Sequence, residues 1–183
     1  MARQRKKLLI VDGYNVLRSG SRYVHLRNAG PNPDYADDAF NRAREALIND
    51  VVCYAGSEYQ AVIVFDGARN ELSTGECEKI GGVRVMFSPA GSSADKVIEK
   101  LSRDARERNI ETLVVSSDAT IQNTVFGGGV DRMSANGFSF AVETNDHEYH
   151  LDESPKVAIK NTVSERLRPD VVEKLRALRD GMR

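Results

Sequence analysis

The chain lacks the signatures of several common protein classes. Its 183 residues include two cysteines, Cys53 and Cys77. They form no close-spaced pair, and no third or fourth ligand stands at zinc spacing, so neither a disulfide framework nor a structural zinc site is expected. Reduced thiols of a cytoplasmic protein are the expectation instead. Histidines number three. In His147-Glu148-Tyr149-His150 the second histidine comes one residue too early for a helical His-Glu-x-x-His zinc site. Gly127-Gly128-Gly129 is followed by no Lys-Ser/Thr pair and fed by no strand, which excludes a phosphate-cradling P-loop. There is no Gly-x-Ser-x-Gly elbow and no cysteine in a nucleophile motif. Asp12-Gly13-Tyr14 lacks the second acid of a phosphotransferase Asp-x-Asp loop.

Long apolar runs are missing as well. Leu8-Leu9-Ile10-Val11 is far shorter than the roughly 20 residues of a spanning helix, and Asp12 ends it before the about 7–15 residues of a secretory h-region. No membrane partner is expected. Neither sign of charge dominates: 26 Lys and Arg against 27 Asp and Glu give a net of −1. Taken alone, that balance argues against a nucleic-acid binder. Resolved along the chain, it is uneven. Residues 1–7 carry +4, residues 8–155 hold 14 basic and 23 acidic residues for −9, and residues 156–183 hold 8 basic and 4 acidic for +4. An acidic core lies between two basic ends.

Apolar content of 40% with 29% charged residues is that of a folded globular chain. Lys7–Asp12 and Ala61–Asp66 are continuous apolar runs, as expected of parallel strands covered on both faces. Val83–Phe87 and Thr112–Ser116 are two further strand candidates. From Asp34 to Ala55 apolar residues recur at three and four (Ala36, Ala39, Phe40, Ala43, Leu47, Ile48, Val51, Tyr54), which predicts one helix face. A second helix is expected over Ser93–Asn109, with Val97, Ile98, Leu101 and Ala105 inward, and a third over Ala119–Phe126. Alternating strands and helices imply an α/β domain, a three-layer sandwich around a mostly parallel sheet. That domain is expected over 1–155, with 156–183 a basic tail carrying a helix near Pro169–Asp180.

Asp12, Asp66 and Asp118 end, or directly follow, predicted strands, and Asp95 falls in the first turn of a predicted helix. Strand C-termini of a parallel sheet lie along one edge, where α/β proteins bind ligands. Clustered carboxylates repel, so either some take up protons or a cation neutralises them. Hard oxygen donors of this kind suit Mg²⁺ or Mn²⁺, ions that ready water for attack and stabilise charge developing on phosphate. The competing explanation is local, because an aspartate after a strand also serves as a helix cap or turn residue.

The strings around these acids add specificity. Val11-Asp12-Gly13-Tyr14-Asn15, Phe65-Asp66, Ser93-Ala94-Asp95 with Ile98-Glu99, Ser117-Asp118 and Arg132-Met133-Ser134-Ala135 occur in an order that resembles the NYN domain family, in its bacterial YacP-like branch. The resemblance spans roughly residues 7–150. It implies a PIN-like, Rossmann-like fold and a metal-dependent ribonuclease that cleaves single-stranded RNA by attack of a metal-activated water. It implies Asp12, Asp95 and Asp118 as ligands of Mg²⁺ or Mn²⁺, Asn15 as a residue positioning water or phosphate, and Asp66 as a supporting acid. The branch includes enzymes acting on messenger RNA with ribosomes, so mRNA and the ribosome are the implied partners, without a nucleotide cofactor. From 136 to 155 this chain departs from the family's acidic, leucine-rich run with Asn136-Gly137-Phe138-Ser139-Phe140, and a shortened or displaced last helix is expected.

Basic residues interleaved with an aromatic fit single-stranded RNA, with phosphates held by arginine and a base stacked on the ring. Arg18, Arg22 and Tyr23, between the Val-Asp-Gly-Tyr-Asn string and Arg27, are candidates of this type, against a plain solvated loop. Arg69, with Lys79, lies on a segment from Gly67 to Gly82 expected to be a loop near the acidic edge. Arg132 and Ser134 complete the expected RNA-binding set. Two other functions remain open on the sequence: a non-catalytic RNA- or ribosome-binding module, and a metal-dependent phosphatase acting on small esters.

Overall fold

A computed structural model describes residues 6–28, 36–67 and 77–153. Backbone proximity divides the chain into a unit over Met1–Glu148 and another over Tyr149–Arg183. The fold described below is that of the first unit. The expected tail helix near Pro169–Asp180 lies outside the described residues, as does Arg69.

In chain order the elements are β1 (Lys7–Asp12), α1 (Gly13–Ser19), α2 (Ser21–Asn28), α3 (Ala36–Ala55), β2 (Tyr59–Phe65), β3 (Cys77–Ile80), β4 (Val83–Phe87), α4 (Ala94–Glu107), β5 (Thr112–Val115), α5 (Ala119–Thr124), β6 (Val130–Met133) and α6 (Ala135–Glu153). The strands form one sheet in the order β3-β4-β2-β1-β5-β6. Every neighbouring pair is parallel except β3 with β4. The mostly parallel α/β sandwich expected from the sequence is therefore the observed fold.

Side-chain alternation divides the core between the two faces of the sheet. Leu9 and Val11 of β1 join Ile63, Phe65 and Val115 under α1, α2, α3 and α6. Leu8 and Ile10 join Val62, Val64 and Val114 under α4 and α5. Because β1 is buried on both faces, its sequence is an unbroken apolar run rather than an alternating one.

Three segments differ from the sequence expectation. Arg18 to Arg27, weighed as an RNA-binding segment or a solvated loop, lies on two helices, α1 and α2. The segment before β4 contains strand β3, on which Lys79 faces Arg84, away from the sheet's C-terminal edge. The third departure is α6, a helix of 19 residues that is not shortened. Ala135, Phe138 and Val142 recur at three and four and are all buried, so the glycine and the Phe-Ser-Phe alternation sit on a helical face rather than a strand. Phe140 points the other way and is 72% exposed.

Candidate metal and nucleic-acid site

Connections from β1 run to β2 on one side, and the chain later returns to β5 on the other. The crevice between β1 and β5 is thus the topological switch point of the sheet, the usual ligand position in open α/β folds. Asp12 ends β1 on one side of it. Ser116, Ser117 and Asp118 follow β5 on the other.

Local chemistry fixes these side chains. Asp12 is the N-cap of α1, and its Oδ1 accepts the Asn15 N–H at 3.3 Å. Its Oδ2 accepts the Ser116 hydroxyl at 3.0 Å. The same Ser116 oxygen accepts the Asp118 N–H at 3.1 Å, so one buried hydroxyl ties both acids together. Asp118 caps α5 by accepting the Thr120 N–H at 2.7 Å. Asn15 Oδ1 accepts the Ser117 N–H at 2.7 Å and clips the β1–α1 turn to the β5–α5 turn. Asp12 and Asp118 both serve as helix caps, the local explanation, and they also share the Ser116 hydroxyl.

The remaining acids stand nearby. Asp95 lies in the first turn of α4, after the N-cap Ser93. Asp66 follows β2, where its Oδ1 lies 3.3 Å from the Ser88 hydroxyl. Ser88 is fully buried and also accepts the Gly67 N–H at 2.9 Å. Exposure is graded: Asp12 is buried, Asp118 half-buried, and Asp66 and Asp95 exposed.

The electrostatics of the edge follow from this layout. Burial pushes the Asp12 carboxyl up to about 6, against the lowering effect of the Asn15 and Ser116 hydrogen bonds, and the charges of Asp95 and Asp118 raise it further. Burial also raises Asp95, together with the charges of Asp118 and Asp66. Asp95 thus feels the charges of both Asp118 and Asp66, and Asp12 those of Asp95 and Asp118. Among the described residues, no three His, Cys, Asp or Glu side chains converge tightly enough to hold an ion by direct bonds alone. The donor set still fits a hard divalent cation of the Mg²⁺ type, which is usually held by one or two carboxylates and keeps several of its waters.

Glycine in the Val-Asp-Gly-Tyr-Asn string has a packing cause. A Cβ on Gly13 would overlap the edge of the Phe65 ring at Cε1 and Cδ1. That ring sits 5.1 Å edge-on to Tyr14 and 5.5 Å from Phe87. The string thus brings the backbone of α1 directly onto β2 beneath the acidic edge.

The expected RNA-binding residues are placed unevenly. Arg18 is exposed, with its guanidinium 5.7 Å over the Tyr14 ring. Arg132 is exposed, stacks 4.6 Å over Phe126, and donates to the Gln122 carbonyl at 2.9 Å. Ser134 accepts the Gly137 N–H at 3.0 Å at the start of α6. Tyr23 and Arg22 are corrections. Tyr23 is fully buried and its hydroxyl donates to Asp50 at 2.8 Å, so its ring offers no face to a base. Arg22 binds the same buried carboxylate through Nε at 2.8 Å and Nη2 at 3.2 Å. The pair ties α2 to α3. Residues the sequence reasoning missed are Ser116, Ser88 and Asp50. Ser116 was open to discovery as a small polar residue directly behind a buried strand, whereas nothing local marks Asp50.

A three-layer α/β domain of PIN-like fold, with interacting carboxylates at its switch point, is the class that this geometry defines. A family model described as YacP-like NYN domain matches residues 9–180. The chain belongs to that family, which is consistent with a nuclease-type domain. It is similar to the uncharacterized protein YacP of Bacillus subtilis strain 168, at 29% identity over 137 residues and 75% of each chain. The crystal structure of Bacillus subtilis Rae1 (YacP) matches at a TM-score of 0.59 and 27% identity, covering 95% of each chain. A substituted variant of the same relative matches at 0.62 and 25%, covering 94% of this chain and 99% of that one.

Proposed function

We propose that this chain is a divalent-metal-dependent endoribonuclease acting on single-stranded RNA. The observation carrying the proposal is geometric: at the sheet's switch point the buried Asp12 carboxyl and the Asp118 N–H share the Ser116 hydroxyl, with Asp95 near enough for its charge to act on Asp12. Asp12, Asp95 and Asp118 would hold Mg²⁺ or Mn²⁺, with Asp66 in support. Such an ion supplies a more acidic water and charge compensation at phosphate.

The chain's own residues do the rest. Ser116 holds the orientation of Asp12 and of the Asp118 backbone. Asn15 spends its carbonyl oxygen on Ser117 and keeps its NH₂, a pure donor, for a phosphate oxygen. Arg18, Arg132 and Ser134 bind the flanking strand. A cytoplasmic location with mRNA as substrate, presented on the ribosome and contacted by the basic residues 156–183, completes the proposal. No helix among the described residues is long and apolar enough to cross a membrane.

A second reading is an RNA- or ribosome-binding module without catalysis. The capping duties of Asp12 and Asp118, and the lack of a tight three-acid cluster among the described residues, favour it. Incubation with labelled single-stranded RNA, free and on ribosomes, separates the two. Cleavage that stops on chelation, returns with Mn²⁺ and is lost in Asp12→Asn and Asp95→Asn is the expected result. Cleavage that survives chelation, or is undiminished in both variants, refutes the metal mechanism. RNA bound but never cut favours the module.

A further inference from the structure

The acidic edge poses a problem for any polyanionic substrate, and the flank of the sheet beside it offers an answer. Helix α4 lies over β1, β2 and β5, leaving a groove between its outer side and β4. This cavity, of about 480 Å³, is walled by Met86 and Pro89 on the sheet side and by Val97, Lys100 and Leu101 on the helix. A volume of that order falls within the roughly 300–1,000 Å³ range of ligand sites.

Its floor is apolar because Met86, Val97 and Leu101 pack against the core beneath while remaining half-buried. Its rim is cationic. Lys96 and Lys100, one turn apart on α4, line it with a single acid, Asp104. On the sheet, Arg84 shares the face of Met86 two residues away, and Lys79 stands directly opposite Arg84 on β3. All four cations are exposed, and none forms an ion pair with a described residue.

The groove also opens at the right place. Ser92 lines its mouth, and the Ser92 carbonyl lies 3.2 Å from the Ser88 hydroxyl that reaches Asp66. Lys96 follows Asp95 directly in sequence. One end of the groove is thus a single buried side chain away from the acidic edge.

We propose that this α4–β4 groove is a substrate subsite in which single-stranded RNA leaving the acidic edge lays a base on the Met86–Val97–Leu101 floor. Lys96, Lys100, Arg84 and Lys79 neutralise its phosphates. The inference rests on the ribonuclease reading above and names where that substrate is held. Apolar packing on base faces with lysine or arginine on the backbone is the recurrent chemistry of single-strand binding. It explains how a core of net negative charge binds RNA: local cations, not the total, set the field along the groove.

The test is RNA binding by fluorescence anisotropy in the full chain carrying Asp12→Asn, with Mg²⁺ present, over a series of salt concentrations. The probe is a labelled single-stranded oligoribonucleotide, and circular dichroism checks that each variant folds. Lys96→Glu/Lys100→Glu and Lys79→Glu/Arg84→Glu should each weaken binding at least about tenfold. Each should also flatten the dependence of log K on log salt by about 1.4, because each removes two phosphate-neutralising cations at about 0.7 apiece. Lys96→Gln/Lys100→Gln, which removes the same two cations without adding negative charge, should flatten the slope equally and weaken binding less. Arg103→Glu, on α4 but paired with Glu99 outside the groove, should change affinity less than about twofold. If the unsubstituted chain cuts RNA while both double variants keep full affinity and salt slope, the groove is refuted and the ribonuclease reading stands. If the unsubstituted chain neither cuts nor binds RNA, free or on ribosomes, the ribonuclease reading fails and the groove fails with it.

Discussion

Replacing Asp12 with asparagine should stabilise the metal-free protein at neutral pH. The carboxyl titrates near 3.8 when unperturbed and at about 6 in the fold, chiefly because it is buried. At about 1.36 kcal/mol per pKa unit, that gap corresponds to about 3 kcal/mol. The sign follows from linkage. A carboxyl whose folded pKa is raised costs nothing below its unfolded pKa, and its full penalty is reached above the folded one. Asparagine carries no charge to bury. It can still accept the Asn15 N–H through Oδ1 while its NH₂ turns to the Ser116 oxygen, a rearrangement costing about 1 kcal/mol. Urea unfolding in chelator at pH 7.5 should therefore show Asp12→Asn more stable by about 2 kcal/mol. That advantage should fade as the pH falls through 6 and be largely gone near pH 4. Added Mn²⁺ should reverse the order, since an ion bound only by the native wild-type site at 100 times its Kd contributes about 2.7 kcal/mol. An Asp12→Asn variant less stable than wild type at pH 7.5 in chelator, or a difference that ignores pH, would refute the reasoning.

Gly13→Ala drives a methyl group against the edge of the Phe65 ring and should cost about 1–3 kcal/mol, read as a lower melting temperature by calorimetry. Ser116→Ala removes a hydrogen bond that holds the Asp12 pKa down, so the acid limb of the RNA-cleavage rate should move to higher pH. A pH–rate profile checks this, and an unmoved limb would contradict it. Arg22→Ala takes the bidentate cation from buried Asp50 and should destabilise by about 3 kcal/mol in urea unfolding. Tyr23→Phe removes only the hydroxyl that donates to Asp50 and should cost about 1 kcal/mol in the same urea unfolding experiment, whereas a solvent-facing hydroxyl would cost nothing.

Legibility tracked burial. The apolar runs of β1 and β2 and the periodicity of α3 and α4 could be read because both reflect continuous packing against the core. Edge strands gave little signal: Cys77, Glu78 and Lys79 are all exposed on β3, and Val130-Asp131-Arg132-Met133 is apolar only at its two ends and does not alternate. In α6 the local Phe-Ser-Phe pattern suggested period two, yet Phe138 and Val142 meet the core at helical spacing. The acids stood out because Asp12, Asp66 and Asp118 end or closely follow strands and Asp95 stands in the first turn of a helix. Tyr23 was misassigned for a nonlocal reason. Basic and aromatic neighbours look the same whether they face RNA or a carboxylate, and Asp50 lies 27 residues away. Ser116 was overlooked because its importance lies in a bond to Asp12, 104 residues earlier.

That separation has a consequence for synthesis. Strand β1 leaves the ribosome first, but its two neighbours in the sheet arrive much later: Leu8 pairs with Gln60 and then with Thr112. At roughly 5–20 residues per second, many seconds pass before β5 can dock. Until it does, Asp12 has neither the Ser116 hydroxyl nor the Asp118 charge beside it. Any activity that depends on this edge is withheld from a nascent chain by topology alone, without an inhibitor or a propeptide. The central strand, first of the six in chain order, gains its second partner only when the fifth is made.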